Sequence, residues 1–111
     1  AGAAADAVVV MVHWGTEGSA LPDPAQVRLA HQLVDAGAAA VIGSHPHVLQ
    51  PVIRYRDAVV AYSLGNFVFS PPAGAGDAQR SHILRLGILP SGGVAVARIP
   101  VRIADGQPRP L

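Results

Sequence analysis

Two histidines separated by one proline, His45-Pro46-His47, have the clearest potential for chemistry in this sequence. Proline fixes its own φ and restricts the preceding residue to extended conformations, so we expect a rigid β or polyproline path through this step. On such a path both imidazoles face the same way, about 7 Å apart at the backbone for a rise of ~3.3 Å per residue. Because histidine is the commonest metal ligand, the pair is predicted to bind one divalent ion or to straddle two. The alternative is a pair of exposed loop histidines.

His13 and Glu17 are further candidates for the same site. His13 directly follows an apolar run, and we predict it as a third metal ligand; a hydrogen-bonded histidine at a strand end is the alternative. Glu17 is the only glutamate in the chain. It is either a solvated charge or a helix cap, or it assists catalysis as a carboxylate that orients a ligand imidazole.

Trp14 and Asn66 are candidates for contact with a substrate. A ring at Trp14 would shape a pocket beside the metal site, whereas the simpler interpretation is packing in the core. Asn66 follows a glycine, which most simply indicates a turn, and lining the site is the alternative. The remaining histidines, His31 and His82, are predicted to be solvent residues.

Two apolar runs must bring the three candidate ligands together. Residues 7–12 form a β-branched run typical of a central parallel strand buried on both faces, and residues 38–42 form a second, shorter run. The carboxyl ends of parallel strands meet at one edge of a sheet, where the chemistry of open α/β sheets collects. His13 ends the first run, and His45 and His47 follow the second. The pattern therefore predicts a metal site at this edge.

A helix between the two runs makes their parallel pairing possible. Residues 25–36 carry an apolar stripe, with Asp23 as the predicted N-cap, Pro24 at the first helical position and Gly37 as the terminator. A strand, a crossover helix and a second strand form a βαβ unit, which places its two strands parallel in one sheet.

The carboxyl-side part of the chain is predicted to form antiparallel hairpins. Strands are expected at 52–55, 58–64, 82–89 and 94–103. Pro100 argues that the last of these is an edge strand. Residues 71–77 have the composition of a mobile loop, and residues 104–111 that of a polar, proline-rich tail.

Composition bounds the class of protein. The 111 residues are 50% hydrophobic and 14% charged, which indicates one folded domain or part of one. The eight cations are all arginine, spread along the sequence without a basic cluster, and the net charge of +1 gives no indication of nucleic-acid binding. Absence of cysteine restricts any metal site to nitrogen and oxygen ligands. No apolar run approaches the roughly 20 residues of a membrane span. The opening at Ala1, next to an apolar strand that needs cover, suggests a piece of a longer protein.

Three motifs carry a family resemblance: residues 9–17 (VVMVHWGTE), 43–50 (GSHPHVLQ) and 61–67 (AYSLGNF). They resemble the carboxyl-side blocks of the CapA-type capsule, or poly-γ-glutamate, synthesis proteins of the metallophosphatase (calcineurin-like phosphoesterase) superfamily. That superfamily's pattern closes with a lone metal-binding histidine and then a Gly-His-x-His block, which His13, His45 and His47 match. Ser44 departs from it by separating Gly43 from His45, which leaves the role of Gly43 open.

The resemblance implies a fold and a partial active site. The expected fold is α/β, part of a four-layer α-β-β-α sandwich with two mixed sheets covered by helices. Residues 1–111 would be the carboxyl-side portion of the domain, because the superfamily's amino-side blocks with Asp and Asn ligands have no counterpart here. The missing amino-side half is therefore an expected partner. The intact protein is expected to hold two divalent metals, Mn, Fe or Zn.

The implied function is metal-assisted hydrolysis or transfer at a phosphate ester during synthesis of an anionic envelope polymer. The resemblance places such a protein in the cell envelope or outside the cytoplasm, with envelope biosynthesis partners and an anionic polymer or phosphate ester as substrate. The alternative is a non-catalytic polymer-binding or assembly component of an export system that keeps the fold. The chain alone is expected to be inactive, since the motifs offer three histidines and no bridging carboxylate.

Overall fold

The computed structural model describes residues 6–70 and 76–111. The elements in chain order are β1 (Val9–His13), α1 (Pro24–Asp35), β2 (Ala40–Ser44), β3 (Leu49–Tyr55), β4 (Ala58–Leu64), a 3₁₀ turn (Gly76–Gln79), β5 (Arg80–Ile88), β6 (Val94–Ala104) and β7 (Gln107–Pro110). The strands form a four-stranded sheet, β1-β2-β4-β3, and a three-stranded sheet, β5-β6-β7. This mixed α/β architecture confirms the predicted fold class. In the part of the chain that the structure describes, no helix is long and apolar enough to span a membrane.

The first sheet confirms the predicted βαβ unit. β1 pairs with β2 in parallel, and β2 pairs with β4 in parallel, while β3 returns antiparallel to β4. His13 lies opposite Ser44 in this register. The carboxyl ends of β1, β2 and β4 therefore lie at the same edge of the sheet.

Local sequence signals define both ends of α1. The Asp23 carboxylate accepts a hydrogen bond from the backbone N–H of Gln26 (2.8 Å), and the Gln26 side chain accepts one from the N–H of Asp23 (2.9 Å), which is a capping box. Pro24 occupies the first turn as predicted. At the other end Gly37 adopts a φ of 114°, and the N–H of Ala38 reaches back to the carbonyl of Leu33 (3.1 Å).

The core lies between α1 and one face of the first sheet. Its buried members are Trp14, Ala30, Val34, Ala38, Val41, Ala58, Val60 and Tyr62. The apolar stripe of α1 contributes Ala30 and Val34, as the helical periodicity predicts. Burial raises the pKa of the Tyr62 phenol above its usual value, in keeping with a ring inside the core.

Gly43 is required by a hydrogen bond that crosses β2. The indole Nε1 of Trp14, just past β1, donates to the carbonyl of Tyr62 in β4 (2.8 Å), and the two rings stack 5.8 Å apart. A Cβ atom at Gly43 would overlap both the indole nitrogen and the Tyr62 oxygen. The glycine thus lets the Trp14 side chain, just past β1, reach β4 over the strand between them, which gives Gly43 a structural role.

The prediction that the first strand is central and buried on both faces is wrong for the described residues. β1 lies at the edge of its sheet and pairs only with β2. Val10 and Val12 pack against the core, whereas Val9 is 46% and Met11 80% exposed. The reason is that α1 covers one face only, and no described strand flanks β1 on its other side.

The predicted carboxyl-terminal tail instead forms β7. Asp105 and Gly106 have φ values of 53° and 75°, the conformation of a two-residue hairpin turn, and the chain returns along β6. β6 is therefore the central strand of the second sheet, and the edge assignment from Pro100 is wrong. Pro100 is tolerated because it lies where pairing with β7 ends; its carbonyl accepts from the N–H of Leu111 (3.0 Å).

The second sheet differs from the expectation in two other respects. It is purely antiparallel rather than mixed, and α1 covers only the first sheet. Its register also aligns Arg80, Arg102 and Arg109 across three strands, so the expectation of no basic cluster is wrong. Of the predicted loop 71–77, residues 71–75 lie outside the described residues and the rest begins the 3₁₀ turn.

We expect Gly43→Ala to lower the free energy of unfolding by about 2 to 3 kcal/mol, because the added methyl group displaces the Trp14 indole from its carbonyl partner. Chemical denaturation followed by Trp14 fluorescence measures the change. Gly87→Ala in β5 is the matched control, since a Cβ there would lie 3.5 Å from the Ala95 side chain in ordinary contact. Equal stability of the two variants would contradict this account.

Candidate metal centre

The backbone at the two central histidines differs from the predicted extended path. His45 has a φ of 101° and His47 a φ of 64°, both in the left-handed region that side chains with a Cβ disfavour. Residues 45–48 form bends rather than a strand. The prediction of an extended His-Pro-His step is therefore wrong, and the restriction imposed by Pro46 does not determine the path of this segment.

Hydrogen bonds from other elements determine that path instead. Carbonyl oxygens of residues 44, 46, 47 and 48 accept from the Trp14 N–H (3.0 Å), the Gly18 N–H (2.8 Å), Asn66 Nδ2 (3.2 Å) and Ser63 Oγ (2.7 Å), respectively. Pro46 itself is fully buried. Unusual φ values persist where the surroundings over-determine the backbone, and such positions cluster at functional sites. The histidine loop, residues 45–48, is thus shaped by tertiary contacts.

Three potential metal ligands converge above this loop. The ligand atoms of Glu17, His45 and His47 all lie within 4.8 Å of one another. The Glu17 Oε1 and His47 Nε2 atoms are 3.8 Å apart, too far for a hydrogen bond and suited to a shared ion between them. Glu17 therefore points at the ring nitrogen that would face a metal, which makes it a candidate ligand itself rather than an orienting carboxylate.

His13 lies outside this group, with its ring beside that of His45. Its ring centroid is 4.5 Å from that of His45, and the His45 and His47 centroids are 6.0 Å apart. The structure thus brings all three predicted histidines to the same edge. Among the described residues, however, the tight group of ligand atoms contains Glu17 in place of His13.

Asn66 fixes the tautomer of the neutral His47 ring. Its amide Nδ2 donates to the carbonyls of His47 (3.2 Å) and Ala78 (3.0 Å), so its Oδ1 is the atom that faces the His47 ring. The Oδ1 to Nδ1 distance is 2.7 Å, and Nδ1 must therefore carry the hydrogen. In the neutral ring this leaves the Nε2 lone pair directed towards Glu17 and available to a metal.

This role of Asn66 was not among the sequence predictions, which offered a turn or a substrate contact. Asn66 is 8% exposed, and its polar side-chain atoms form hydrogen bonds with protein groups. A signal was available in the sequence. Asn66 follows β4, and the carboxyl end of β4 lies at the same sheet edge as the ends of β1 and β2, so its side chain reaches the histidines.

A buried glutamine pair holds the segment that carries Glu17. Gln50 donates to the carbonyl of Ser19 (2.8 Å) and accepts from Gln26 (2.8 Å), whose own oxygen caps α1. Both glutamines are less than 5% exposed. Because buried amides are costly unless paired, this network fixes the 15–21 loop against the helix and β3. Gln50 closes the 43–50 motif but was not among the predicted site residues.

The other candidate aromatic and histidine residues are not members of the ligand group in the described part of the chain. Trp14 is buried, so its ring packs in the core below the site. His31 stacks on Tyr55 with centroids 3.8 Å apart. His82 is half-buried in β5, where burial and the charge of Arg98 lower the pKa of its imidazole. The prediction that His31 and His82 are solvent residues is wrong, since each packs against the fold.

The donor set fits a divalent transition metal. Two imidazole nitrogens and one carboxylate oxygen suit Mn, Fe or Zn, and Asn66 already selects the coordinating tautomer of His47. The His47 and Glu17 side chains are 40% and 67% exposed, so an ion held there is accessible to a ligand from solvent.

Comparison with known proteins gives consistent matches. The family model for the bacterial capsule synthesis protein PGA_cap matches residues 1–71. A capsule biosynthesis protein CapA of Bacillus anthracis is 40% identical over 107 residues, covering 96% of this chain and 26% of its own length. A PGA biosynthesis protein CapA of Bacillus subtilis is 38% identical over 107 residues, covering 96% and 28%. A probable polyglutamine synthesis accessory protein of Mycobacterium tuberculosis is 35% identical over 63 residues, covering 57% and 17%. The chain thus spans about a quarter of the two Bacillus proteins.

We expect Asn66→Leu to weaken binding of Mn or Zn about 10- to 100-fold, because the His47 ring loses the acceptor that fixes its tautomer. Isothermal titration calorimetry measures the affinity. Asn66→Asp keeps an acceptor for Nδ1 and should retain more affinity than Asn66→Leu.

Ser81→Ala is the control for this experiment, since it also removes a buried side-chain hydrogen bond, to the Leu64 carbonyl (2.8 Å), without touching a histidine. An Asn66→Leu protein that is folded and binds metal as tightly as the Ser81→Ala protein would refute the role assigned to Asn66.

Proposed function

The chain belongs to the bacterial capsule synthesis protein family, and from that membership we propose that it supplies the histidine part of a metal-dependent phosphoesterase-type site. The protein would act in capsule or poly-γ-glutamate biosynthesis. The observation that carries the proposal is the convergence of Glu17, His45 and His47, whose ligand atoms lie within 4.8 Å of one another.

The arrangement of the residues supports a binding site more than an accidental cluster. His45 and His47 both adopt left-handed backbone conformations, which cost free energy and are maintained by four hydrogen bonds from other elements. Asn66 then aligns the His47 ring with its Nε2 facing the Glu17 carboxylate. A solvent-exposed histidine pair without a function would not require this support.

Charge in the site favours an anionic substrate. Two neutral imidazoles and one carboxylate would leave a bound divalent ion with a residual positive charge, which attracts phosphate esters. When bound, such an ion supplies Lewis-acid polarisation of a phosphoryl group. The protein's contribution is to hold the donor atoms on a rigid sheet edge and to keep one side open to solvent.

A complete two-metal site requires ligands beyond this group. Two ions about 3.5 to 4 Å apart need enough donors to fix both, including bridging groups. Glu17, His45 and His47, with His13 beside them, suffice for one ion. We infer that the remaining ligands come from an amino-side part of the domain, and that the intact protein works on a phosphate ester or anionic polymer in the cell envelope.

We expect His45→Ala and His47→Ala each to weaken binding of Mn or Zn by at least about 100-fold, because each removes a donor atom from the group. Glu17→Gln should weaken it less, since the amide keeps an oxygen but loses the charge. His13→Ala tests whether His13, which lies beside the group, also coordinates the ion. His31→Ala, which removes a histidine stacked on Tyr55, is the matched control and should leave titration calorimetry unchanged. Unchanged affinity in both His45→Ala and His47→Ala would rule out the site.

A second expectation concerns turnover. The chain alone, supplied with Mn, should hydrolyse neither an aryl phosphate monoester nor a diester at a measurable rate, because the ligand group found in its described residues suffices for one ion only. A capsule biosynthesis relative containing the whole domain, assayed in parallel, should hydrolyse one of them and lose that activity on mutation of the histidine that matches His47. Metal binding without turnover in either protein would favour the non-catalytic assembly component instead.

A further inference from the structure

Three arginines form a row across the second sheet. Arg80 in β5 lies opposite Arg102 in β6, and Arg102 lies opposite Arg109 in β7. Directly opposite residues of antiparallel strands share a face, so all three side chains project from the same side of the sheet. All three are exposed. With strands about 4.8 Å apart, the row spans roughly 10 Å.

No carboxylate neutralises this row within the described residues. The ion pairs there join His47 to Glu17 and Arg56 to Asp35. Arg109 donates to the uncharged amide oxygen of Gln107 (3.2 Å). Like charges directly opposite each other on neighbouring strands are destabilising. The row therefore weakens the free protein, and an anion bound across it would remove that cost.

Charge is divided unevenly between the chain segment that contains the first sheet and the segment that contains the second. Residues 76–111 carry five arginines and two aspartates, whereas residues 6–70 carry three arginines and five carboxylates. Of the two aspartates, Asp105 lies in the β6–β7 turn and Asp77 in the 3₁₀ turn. The second sheet is therefore basic, although the net charge of the whole chain is close to zero.

A cavity with an unmet polar group adjoins the row. His82 lies opposite Pro100, one step along the same face, and its Nδ1 is buried without a hydrogen-bond partner among the described residues. The cavity of about 380 Å³ is lined by His82, Arg80 and Arg102 among others. Burial lowers the pKa of His82, and its unpartnered Nδ1 offers the cavity a hydrogen-bonding atom.

We propose that this arginine row, Arg80, Arg102 and Arg109, is a docking site for an extended polycarboxylate. Guanidinium groups bind carboxylates through paired hydrogen bonds, and three in line match a chain that carries carboxylates at regular intervals. A single-stranded nucleic acid fits less well, because such sites use aromatic platforms and residues 76–111 contain no Phe, Tyr or Trp. The identification of the polymer as polyglutamate rests on the proposed function, whereas the preference for a polyanion rests on the row.

The test is fluorescence anisotropy with labelled poly-γ-glutamate in low salt and EDTA. The triple variant Arg80→Gln, Arg102→Gln, Arg109→Gln should bind at least about tenfold more weakly than the wild type, since it loses three charge-assisted contacts. Arg85→Gln is the matched control, because Arg85 alternates with the row residues along β5 and projects from the opposite face. The triple variant should be as stable to heat as the wild type or more so, because mutual repulsion is removed.

Two further comparisons make the result decisive. A triple Arg→Lys variant keeps the charge but not the guanidinium fork, and should bind with intermediate affinity. An oligodeoxythymidine of equal charge should bind more weakly than the polycarboxylate. Equal binding by the triple Gln variant and the wild type, or tighter binding of the oligonucleotide, would overturn the proposal.

The EDTA condition separates this proposal from the metal site. His47→Ala should bind the polymer as the wild type does, because the arginine row lies on the second sheet and needs no metal. If only the metal-site proposal is wrong, metal titrations will show no specific binding while the arginine row still binds the polymer. If only the arginine-row proposal is wrong, the triple Gln variant will bind the polymer as the wild type does, while metal titrations still show binding.

Discussion

The hydrogen bond from the Trp14 indole to the Tyr62 carbonyl, passing over Gly43, ties together the ends of three strands. Trp14 follows β1, Gly43 lies near the end of β2, and Tyr62 lies near the end of β4. A buried donor without this acceptor would cost about 1 to 3 kcal/mol, so the three strand ends are held in fixed relation. Each of those ends then supplies part of the candidate metal centre.

The division of roles among the strand ends follows from this relation. His13 ends β1 and the loop after it carries Glu17, the loop after β2 carries His45 and His47, and the residue that orients His47 follows β4. No single segment holds enough donor atoms for an ion. The site exists only if the sheet register is correct, which couples metal binding to folding of the first sheet.

Prediction from the sequence succeeded where the determinants are local. Asp23, Pro24 and Gly37 define α1 through contacts within a few residues, and the strand assignments followed from hydrophobic patterning. It failed for the histidine loop because hydrogen bonds from Gly18, Ser63 and Asn66 override the local preference of Pro46. The missed β7 is a different case. The Asp105-Gly106 pair is a strong hairpin signal, but the prolines around it obscured the returning strand.

The arginine row shows why some properties cannot be derived from residue order. Arg80, Arg102 and Arg109 are far apart in the sequence and look scattered, yet antiparallel pairing places them side by side. Only the register, which depends on the turns at residues 89–93 and 105–106, converts three dispersed charges into a surface. Glu17, a negatively charged loop residue, lies at the edge of the first sheet, whereas the uncompensated positive charge lies on the second sheet. The proposed polymer-binding row and the candidate metal centre therefore use different residues on different sheets, so a ligand at one would not occupy the other.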